Sequence, residues 1–170
     1  MKVCIVSDSH DRSGPLAQAV REAAAEGAAA VIHCGDVIGT QTLRAAMNIG
    51  LPIHVIHGNN LGDPVSLSRW AHESGGLLRY HGADARLELF ERRIFVVHYP
   101  EYGYAMACTG AWDLVCCGHS HVAGVEHVGN VKGGTTWLVN PGTVGGLAAP
   151  STWILGDLAT MLFQVRAANA

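Results

Sequence analysis

The sequence has little positive charge, few aromatic residues and no long hydrophobic run. Only 11 basic residues stand against 14 acidic ones, and the net charge of −3 disfavours nucleic acid as a bulk electrostatic partner. No apolar run approaches the roughly 20 residues that a membrane span needs. Asp8, His10 and Asp11 come too early in the chain for a signal peptide. We therefore expect a soluble protein without a membrane partner.

Cysteine usage indicates a reducing compartment. The five cysteines are an odd number, and most lie in apolar runs, where cysteine behaves as a small hydrophobic residue. A disulfide framework is not expected, and a cytoplasmic location fits best. Histidine is abundant by contrast, with ten residues in a chain of 170. The length and the 49% hydrophobic content predict one folded domain over residues 1–170.

The hydrophobic pattern predicts alternating strands and helices in the first half of the chain. Runs at Val3–Val6, Ala29–Cys34 and Ile53–His57 are continuous and apolar, which is typical of strands buried on both faces. Helix-like segments follow these runs at Pro15–Glu26, Thr40–Ile49 and Val65–Glu73. This order favours a parallel sheet at the front of the domain.

The second half of the chain follows a different pattern. Ala85–Phe90 alternates in polarity and precedes the apolar run Arg93–Val97, which predicts a hairpin around Glu91 and Arg92. A short helix is predicted at Tyr102–Cys108. Further strand-like runs joined by Gly-rich turns follow at Asp113–Cys117, Thr135–Val139, Thr152–Leu155 and Thr160–Val165. The whole chain is therefore predicted to be one mixed α/β domain.

Polar residues end five successive strand-like runs. Asp, His and Asn make up about one residue in seven, so their recurrence at five successive strand ends is not expected by chance. The residues in question are Asp8, His10, Asp36, Asn59, His98, His119 and His121. The carboxyl ends of strands form the crevice in which open α/β sheets bind ligands. We expect these seven side chains to converge there.

Imidazole and carboxylate groups together suit Mn, Fe, Co, Ni or Zn better than Mg or Ca. The seven candidate ligands carry only two negative charges, from Asp8 and Asp36, so two divalent ions would leave a net positive site that attracts phosphate. A single ion would leave several histidines without partners. Two ions are therefore the better account, and they would lower the pKa of a bridging water.

At this point the sequence resembles the calcineurin-like metallophosphoesterases, and among them the small single-domain phosphodiesterases of bacteria and archaea. The motifs that carry the resemblance are Asp8-x-His10, Gly35-Asp36, Gly58-Asn59-Asn60, His98, Gly118-His119-x-His121 and Asn140-Pro141-Gly142-Thr143. The resemblance implies a four-layer α/β/β/α sandwich with mixed sheets. It also implies a dimetal phosphoesterase, more a phosphodiesterase than a monoesterase, in which a metal-bridging hydroxide attacks phosphorus in line.

The resemblance assigns a role to each candidate ligand. Asp8, His10 and His121 would hold one ion and Asn59, His98 and His119 the other, with Asp36 bridging the two. Asn59 would also contact the phosphate and so is the candidate catalytic residue. The expected cofactors are two divalent ions, with Mn²⁺ favoured, and the expected substrate is a small phosphoester. The oligomeric state is left open, a homodimer included.

Two departures from the family pattern lie on the substrate side. The chain reads His98-Tyr99-Pro100 where many relatives have His-Gly-His, and Asn60 follows the Gly-Asn pair where many relatives have His or Cys-Asp. Neither change removes a metal ligand, but both remove candidate proton donors near the leaving group. Asn60 and Tyr99 become candidate substrate contacts, with Glu101 as an alternative to Tyr99.

Two other functions fit the same motifs. The retromer scaffold subunit is similar to this branch of the family, so a weakly active or inactive scaffold on the same fold is the alternative to the enzyme. A monoester phosphatase is the third reading. Hydrolysis of monoesters and diesters in added Mn²⁺ separates the three.

Overall fold

The computed structural model describes residues 1–168, and two β-sheets form its centre. The strands are β1 (Lys2–Val6), β2 (Ala28–His33), β3 (Ile53–Val55), β4 (Leu78–Tyr80), β5 (Asp84–Leu89), β6 (Arg92–Val97), β7 (Leu114–Cys116), β8 (Ala123–Gly129), β9 (Thr135–Pro141), β10 (Thr152–Asp157) and β11 (Leu162–Ala167). The helices are α1 (Ser13–Ala25), α2 (Arg44–Met47), α3 (Pro64–Glu73) and α4 (Pro100–Cys108). One sheet has the order β11-β10-β1-β2-β3-β4 and the other β5-β6-β7-β9-β8.

Both sheets mix parallel and antiparallel pairs. In the first sheet β1, β2, β3 and β4 run parallel, whereas β10 and β11 pair antiparallel. In the second sheet β6, β7 and β9 run parallel, and β5 and β8 flank them antiparallel. The parallel strands of each sheet therefore end at one common edge, where their terminal loops meet.

Three apolar cores hold four layers together. Ile5, Ile32 and Val139 belong to the core that contains side chains of both sheets. A second core joins the outer face of the first sheet to α1, α2 and α3, and a third joins the second sheet to α4. The layer order α/β/β/α confirms the predicted sandwich with mixed sheets. Among residues 1–168, no helix combines the length and the apolarity that crossing a bilayer requires.

The elements differ from the sequence prediction in three places. The segment predicted as one helix at 40–49 is a 3₁₀ turn (Thr40–Leu43) followed by the single-turn α2. The β-branched residues Thr40 and Thr42 and the absence of a side-chain cap at Gly39 explain this, since they disfavour a regular α-helix. The strands β4 and β8 were not predicted. Both lie at sheet edges, and neither presents a continuous apolar run.

Candidate metal centre

The candidate ligands lie in loops that follow the parallel strands. Asp8 and His10 follow β1, Asp36 follows β2 and Asn59 follows β3, all in the first sheet. His98 follows β6, and His119 and His121 follow β7, in the second sheet. Five of the seven residues have positive φ, between 43° and 67°, and these are Asp8, His10, Asp36, His119 and His121. Such a backbone conformation ends the strand abruptly and turns the following side chain into the crevice.

Two glycines leave the space into which the ligands turn. A Cβ on Gly58 would overlap Asp36 Oδ1 and lie 2.7 Å from His98 Nε2. A Cβ on Gly118 would overlap Ser7 Oγ and lie 2.8 Å from Asp8 Oδ2. Both positions therefore require glycine because a side chain would occupy the crevice itself.

The first group of converging atoms belongs to Asp8, His10 and His121. Asp8 Oδ1 lies 3.2 Å from His121 Nε2 and 3.7 Å from His10 Nε2, and the two imidazole Nε2 atoms are 3.2 Å apart. Asp8 is fully buried, whereas His10 and His121 are half-buried and face the open side of the crevice. Their ligand atoms lie within 4.8 Å of one another, close enough for one metal ion.

The second group contains Asp36, His98, Asn59 and His119. His98 Nε2 lies 3.4 Å from Asp36 Oδ1 and 2.9 Å from Asn59 Oδ1, and His119 Nδ1 lies 2.8 Å from the same amide oxygen. Asp36 and His98 are buried, whereas Asn59 and His119 are exposed. Asp36 Oδ2 is also 3.8 Å from His10 Nε2, so this carboxylate lies between the two groups.

Hydrogen bonds to backbone carbonyls determine which imidazole nitrogens face the crevice without a hydrogen. His98 Nδ1 donates to the Cys34 carbonyl at 2.8 Å, and His121 Nδ1 donates to the Leu147 carbonyl at 2.8 Å. In the neutral rings each Nε2 is then an acceptor. His98 Nε2 therefore faces Asn59 Oδ1 with a lone pair opposite a lone pair, and His121 Nε2 faces Asp8 Oδ1 in the same way.

This arrangement of acceptors fits metal ions. Asp8 Oδ1 is a buried carboxylate oxygen without a hydrogen-bond partner. Among the described residues no Lys or Arg side chain lies within 4.0 Å of either buried carboxylate. Facing acceptors and an unpaired buried carboxylate are unfavourable unless a cation lies between them. Carboxylate, amide and imidazole donors suit borderline divalent metals.

Other residues hold the loops of the candidate ligands in place. The sequence predicted this supporting role for few of them. Asn140 Nδ2 donates to the Gly118 carbonyl at 2.8 Å, and Thr143 Oγ1 donates to the Asp8 carbonyl at 2.9 Å. The Asn140–Thr143 motif therefore lies beside the candidate ligands, as the resemblance implied. Burial lowers the pKa of His33 to about 3, and this neutral ring contacts Ser9 Oγ at 3.0 Å. The Asn140–Thr143 motif can be recognised in the sequence, whereas the contact between His33 and Ser9 cannot.

The two candidate substrate contacts touch different members of the second group. Asn60 donates through its backbone N–H to Asp36 Oδ1 at 2.9 Å and through its side-chain amide to Asp36 Oδ2 at 2.5 Å. Tyr99 packs edge-on against His119, with ring centroids 4.8 Å apart. Glu101, the alternative to Tyr99, is exposed in the first turn of α4.

Comparisons with known proteins give a consistent result. A family model described as the calcineurin-like phosphoesterase superfamily domain matches residues 1–161. Phosphodiesterase MJ0936 of Methanocaldococcus jannaschii is 28% identical over 146 residues, which are 84% of this chain and 83% of that protein. The structure of an archaeal phosphodiesterase superimposes with a TM-score of 0.87 at 25% identity, covering 98% of this chain and 99% of the other. Vps29 of Chaetomium thermophilum shares the fold, with a TM-score of 0.65 at 14% identity over 98% of this chain and 95% of the other.

Proposed function

The chain belongs to the calcineurin-like phosphoesterase superfamily, and we propose that it is a dimetal phosphodiesterase acting on small phosphoesters. The observation that carries the proposal is the unpaired, buried Asp8 Oδ1, which lies 3.2 Å from His121 Nε2, a nitrogen that has no hydrogen to donate in the neutral ring. The similarity to phosphodiesterases supports the choice of diesters over monoesters.

We assign the seven residues to two ions. Asp8, His10 and His121 would hold one ion, and Asn59, His98 and His119 the other, with Asp36 between them. Two clusters of ligand atoms support a two-ion site: one contains Asp8, His10 and His121, and the other contains Asp8, Asp36 and His98. Asp36 also lies within 4.0 Å of both His10 and His98, which supports its position between the ions. Mn²⁺ is the proposed metal because imidazole and carboxylate ligands suit it and because a hard phosphate oxygen is its natural additional ligand.

Bound divalent ions would lower the pKa of a water for in-line attack on phosphorus and offset the charge that develops on the phosphate oxygens. The chain's own residues prepare this chemistry. Cys34 and Leu147 carbonyls fix the imidazole tautomers, and Asn60 holds both oxygens of Asp36. We propose that Asn59, which is exposed, donates its amide N–H to a phosphate oxygen.

The substrate side provides Tyr99 where many relatives have a second histidine. A phenol is a weaker general acid at neutral pH than an imidazolium. We therefore propose that turnover is fastest for diesters whose leaving group needs little protonation, such as nitrophenolate.

Hydrolysis assays test the function directly. Purified protein should hydrolyse bis(4-nitrophenyl) phosphate in added Mn²⁺ and lose this activity in EDTA. The Asp36→Ala and His119→Ala variants should lose about 100-fold or more of the activity, because each removes a ligand group. Assays with 4-nitrophenyl phosphate run in parallel distinguish a diesterase from a monoesterase. Metal-dependent turnover that both variants retain would contradict the assignment.

A scaffold or binding module on the same fold is the second candidate. Two observations favour it: the fold is shared with Vps29, and Tyr99 replaces a candidate proton donor. A protein that binds Mn²⁺ but hydrolyses neither diester nor monoester would support the scaffold over the enzyme.

We also propose that residues 1–170 act as one domain in a reducing compartment such as the cytoplasm. The pairing of β11 with β10 and of β10 with β1 supports the first part, because it joins the end of the described chain to its beginning. The second part is supported by the five free cysteines, four of which are buried.

A further inference from the structure

A cavity of about 500 Å³ lies beside the candidate metal centre, between α4 and the strands β5 and β6. Gly58 and His98 belong both to the ligand loops and to the lining of this cavity. Its volume lies in the range of small-molecule sites. A phosphodiester held at the metal centre could therefore extend one of its two ester arms into the cavity.

The lining of the cavity is mainly apolar and aromatic. Phe95 and Val97 are buried side chains of β6, while Tyr102 and Met106 come from α4. Among the described lining residues only Asp84 carries a formal charge, and it is exposed. A carboxylate repels a second anionic group, so the lining favours an uncharged arm.

Aromatic rings lead from the metal centre to the cavity. The Tyr99 ring lies edge-on to His119 at 4.8 Å and edge-on to Tyr102 at 5.6 Å, measured between ring centroids. Tyr102 is 59% exposed, so its ring is accessible to a bound group. Aromatic side chains bind a further aromatic ring through edge-on and offset contacts of this kind.

We propose that this cavity binds a planar, uncharged aromatic ring on one ester arm of the substrate. Tyr102 would be its principal ring contact, with Met106 and Phe95 as its apolar floor. The inference rests on the proposed function, because the metal centre has to hold the phosphate group. The preferred substrates are then phosphodiesters that carry an aryl group or a nucleobase, both of which offer the same flat apolar faces.

Equilibrium binding of compounds that cannot be hydrolysed tests this inference without turnover. Dibenzylphosphinate and diethylphosphinate have the same charge, and their organic groups are joined to phosphorus through P–C bonds, but only the first carries rings. By titration calorimetry of the Mn²⁺-loaded protein, we expect dibenzylphosphinate to bind about tenfold more tightly. (5′-Deoxyadenosin-5′-yl)methylphosphinate, which is also joined through P–C bonds, carries a nucleobase instead. Binding tighter than that of diethylphosphinate would indicate a nucleoside arm, and binding no tighter would indicate a simple aryl arm.

Substitutions on α4 test whether the aromatic ring of the ligand binds in this cavity. Tyr102→Ala removes the proposed contact, and Ala105→Trp fills the cavity from an exposed lining position without disturbing buried packing. Both should abolish the preference for dibenzylphosphinate. Tyr104→Ala is the matched control because Tyr104 lies on the same helix, is 55% exposed and does not line this cavity. It should retain the preference.

Equal binding of the two phosphinates to the unmodified protein would overturn the inference, as would a preference that survives both Tyr102→Ala and Ala105→Trp. Hydrolysis of bis(4-nitrophenyl) phosphate is measured separately. Turnover without a ring preference contradicts only the cavity assignment. A ring preference without Mn²⁺-dependent turnover contradicts the proposed function and supports the cavity as a ring-binding site.

Discussion

At the scale of single residues, the candidate metal centre is strained before any ion binds. Five candidate ligands adopt positive φ, which costs about 1–2 kcal/mol for each residue with a side chain. Backbone hydrogen bonds maintain these conformations: Asp8 N–H donates to the Gly35 carbonyl at 3.0 Å, and His10 N–H donates to the Asp36 carbonyl at 3.0 Å. The protein therefore gives up stability to fix the positions of these candidate ligands in advance.

The first prediction concerns Asp8, whose buried oxygen Oδ1 has no hydrogen-bond partner. Asp8→Asn should weaken Mn²⁺ binding about 100-fold or more, because it removes a buried negative charge. The same change should stabilise the metal-free protein by about 1 kcal/mol, because an amide N–H can donate to His10 and His121. Metal titration calorimetry and thermal unfolding in EDTA measure the two effects.

Asp113→Asn provides the control for this prediction. Asp113 pairs with Arg93 far from the centre, so its replacement should leave Mn²⁺ affinity unchanged. A metal-free Asp8→Asn protein that is less stable than the wild type would contradict the claim that the unpaired Asp8 carboxylate destabilises the metal-free protein.

Sequence reasoning could identify the candidate ligands but not the groups around them. Asp8, Asp36 and His98 can be recognised because each follows a strand-like run, and the order of such runs is visible in the sequence. The contact between Tyr99 and His119 and the position of Tyr102 depend on how α4 packs against the second sheet. Local sequence patterns do not encode that packing.

At the scale of elements, the loops after the strands approach one another closely enough to exclude side chains. We predict that Gly58→Ala weakens Mn²⁺ binding about tenfold or more, because its Cβ would displace Asp36 or His98. Gly14→Ala is the control. Gly14 has open space around it in α1, so this variant should raise the melting temperature without altering metal affinity.

Titration with Mn²⁺ and thermal unfolding distinguish the two glycine variants. Equal metal affinity in Gly58→Ala and the wild type would mean that the loop after β3 moves aside freely, and the preformed geometry would then be disproved.

The strength of the local signal decided which elements could be predicted. The buried parallel strands β1 and β2 were predicted to within two residues because they are continuous apolar runs. Most residues of β8, such as Glu126 and His127, are partly or fully exposed. Only the pairing of β8 with β9 defines it as a strand. Edge strands of this kind depend on a partner that the local sequence does not reveal.

At the scale of the whole molecule, buried neutral histidines predict a dependence of stability on pH. Burial and the neighbouring His81 lower the pKa of His54 from 6.5 to about 4. As the pH falls below 6.5 the unfolded chain takes up the proton first, so the free energy of unfolding falls between pH 6.5 and about 4. The contribution of His33, whose pKa is about 3, has the same sign.

Chemical denaturation of metal-free protein at pH 7.5 and pH 5 measures this effect. His54→Leu should reduce the difference in stability between the two pH values, since it removes one titrating group. His72→Gln, at an exposed position on α3, should not change the difference. A stability difference that is the same in His54→Leu and the wild type would contradict the assignment to His54.

The central claim is that two groups of side chains hold two divalent ions in one crevice. Metal-free protein dialysed against Mn²⁺ and analysed for metal content tests it most directly. We predict two ions per chain in the wild type and a loss of bound metal in both Asp8→Asn and Asp36→Asn. A wild-type protein that retains no Mn²⁺, or variants that retain as much as the wild type, would contradict the claim.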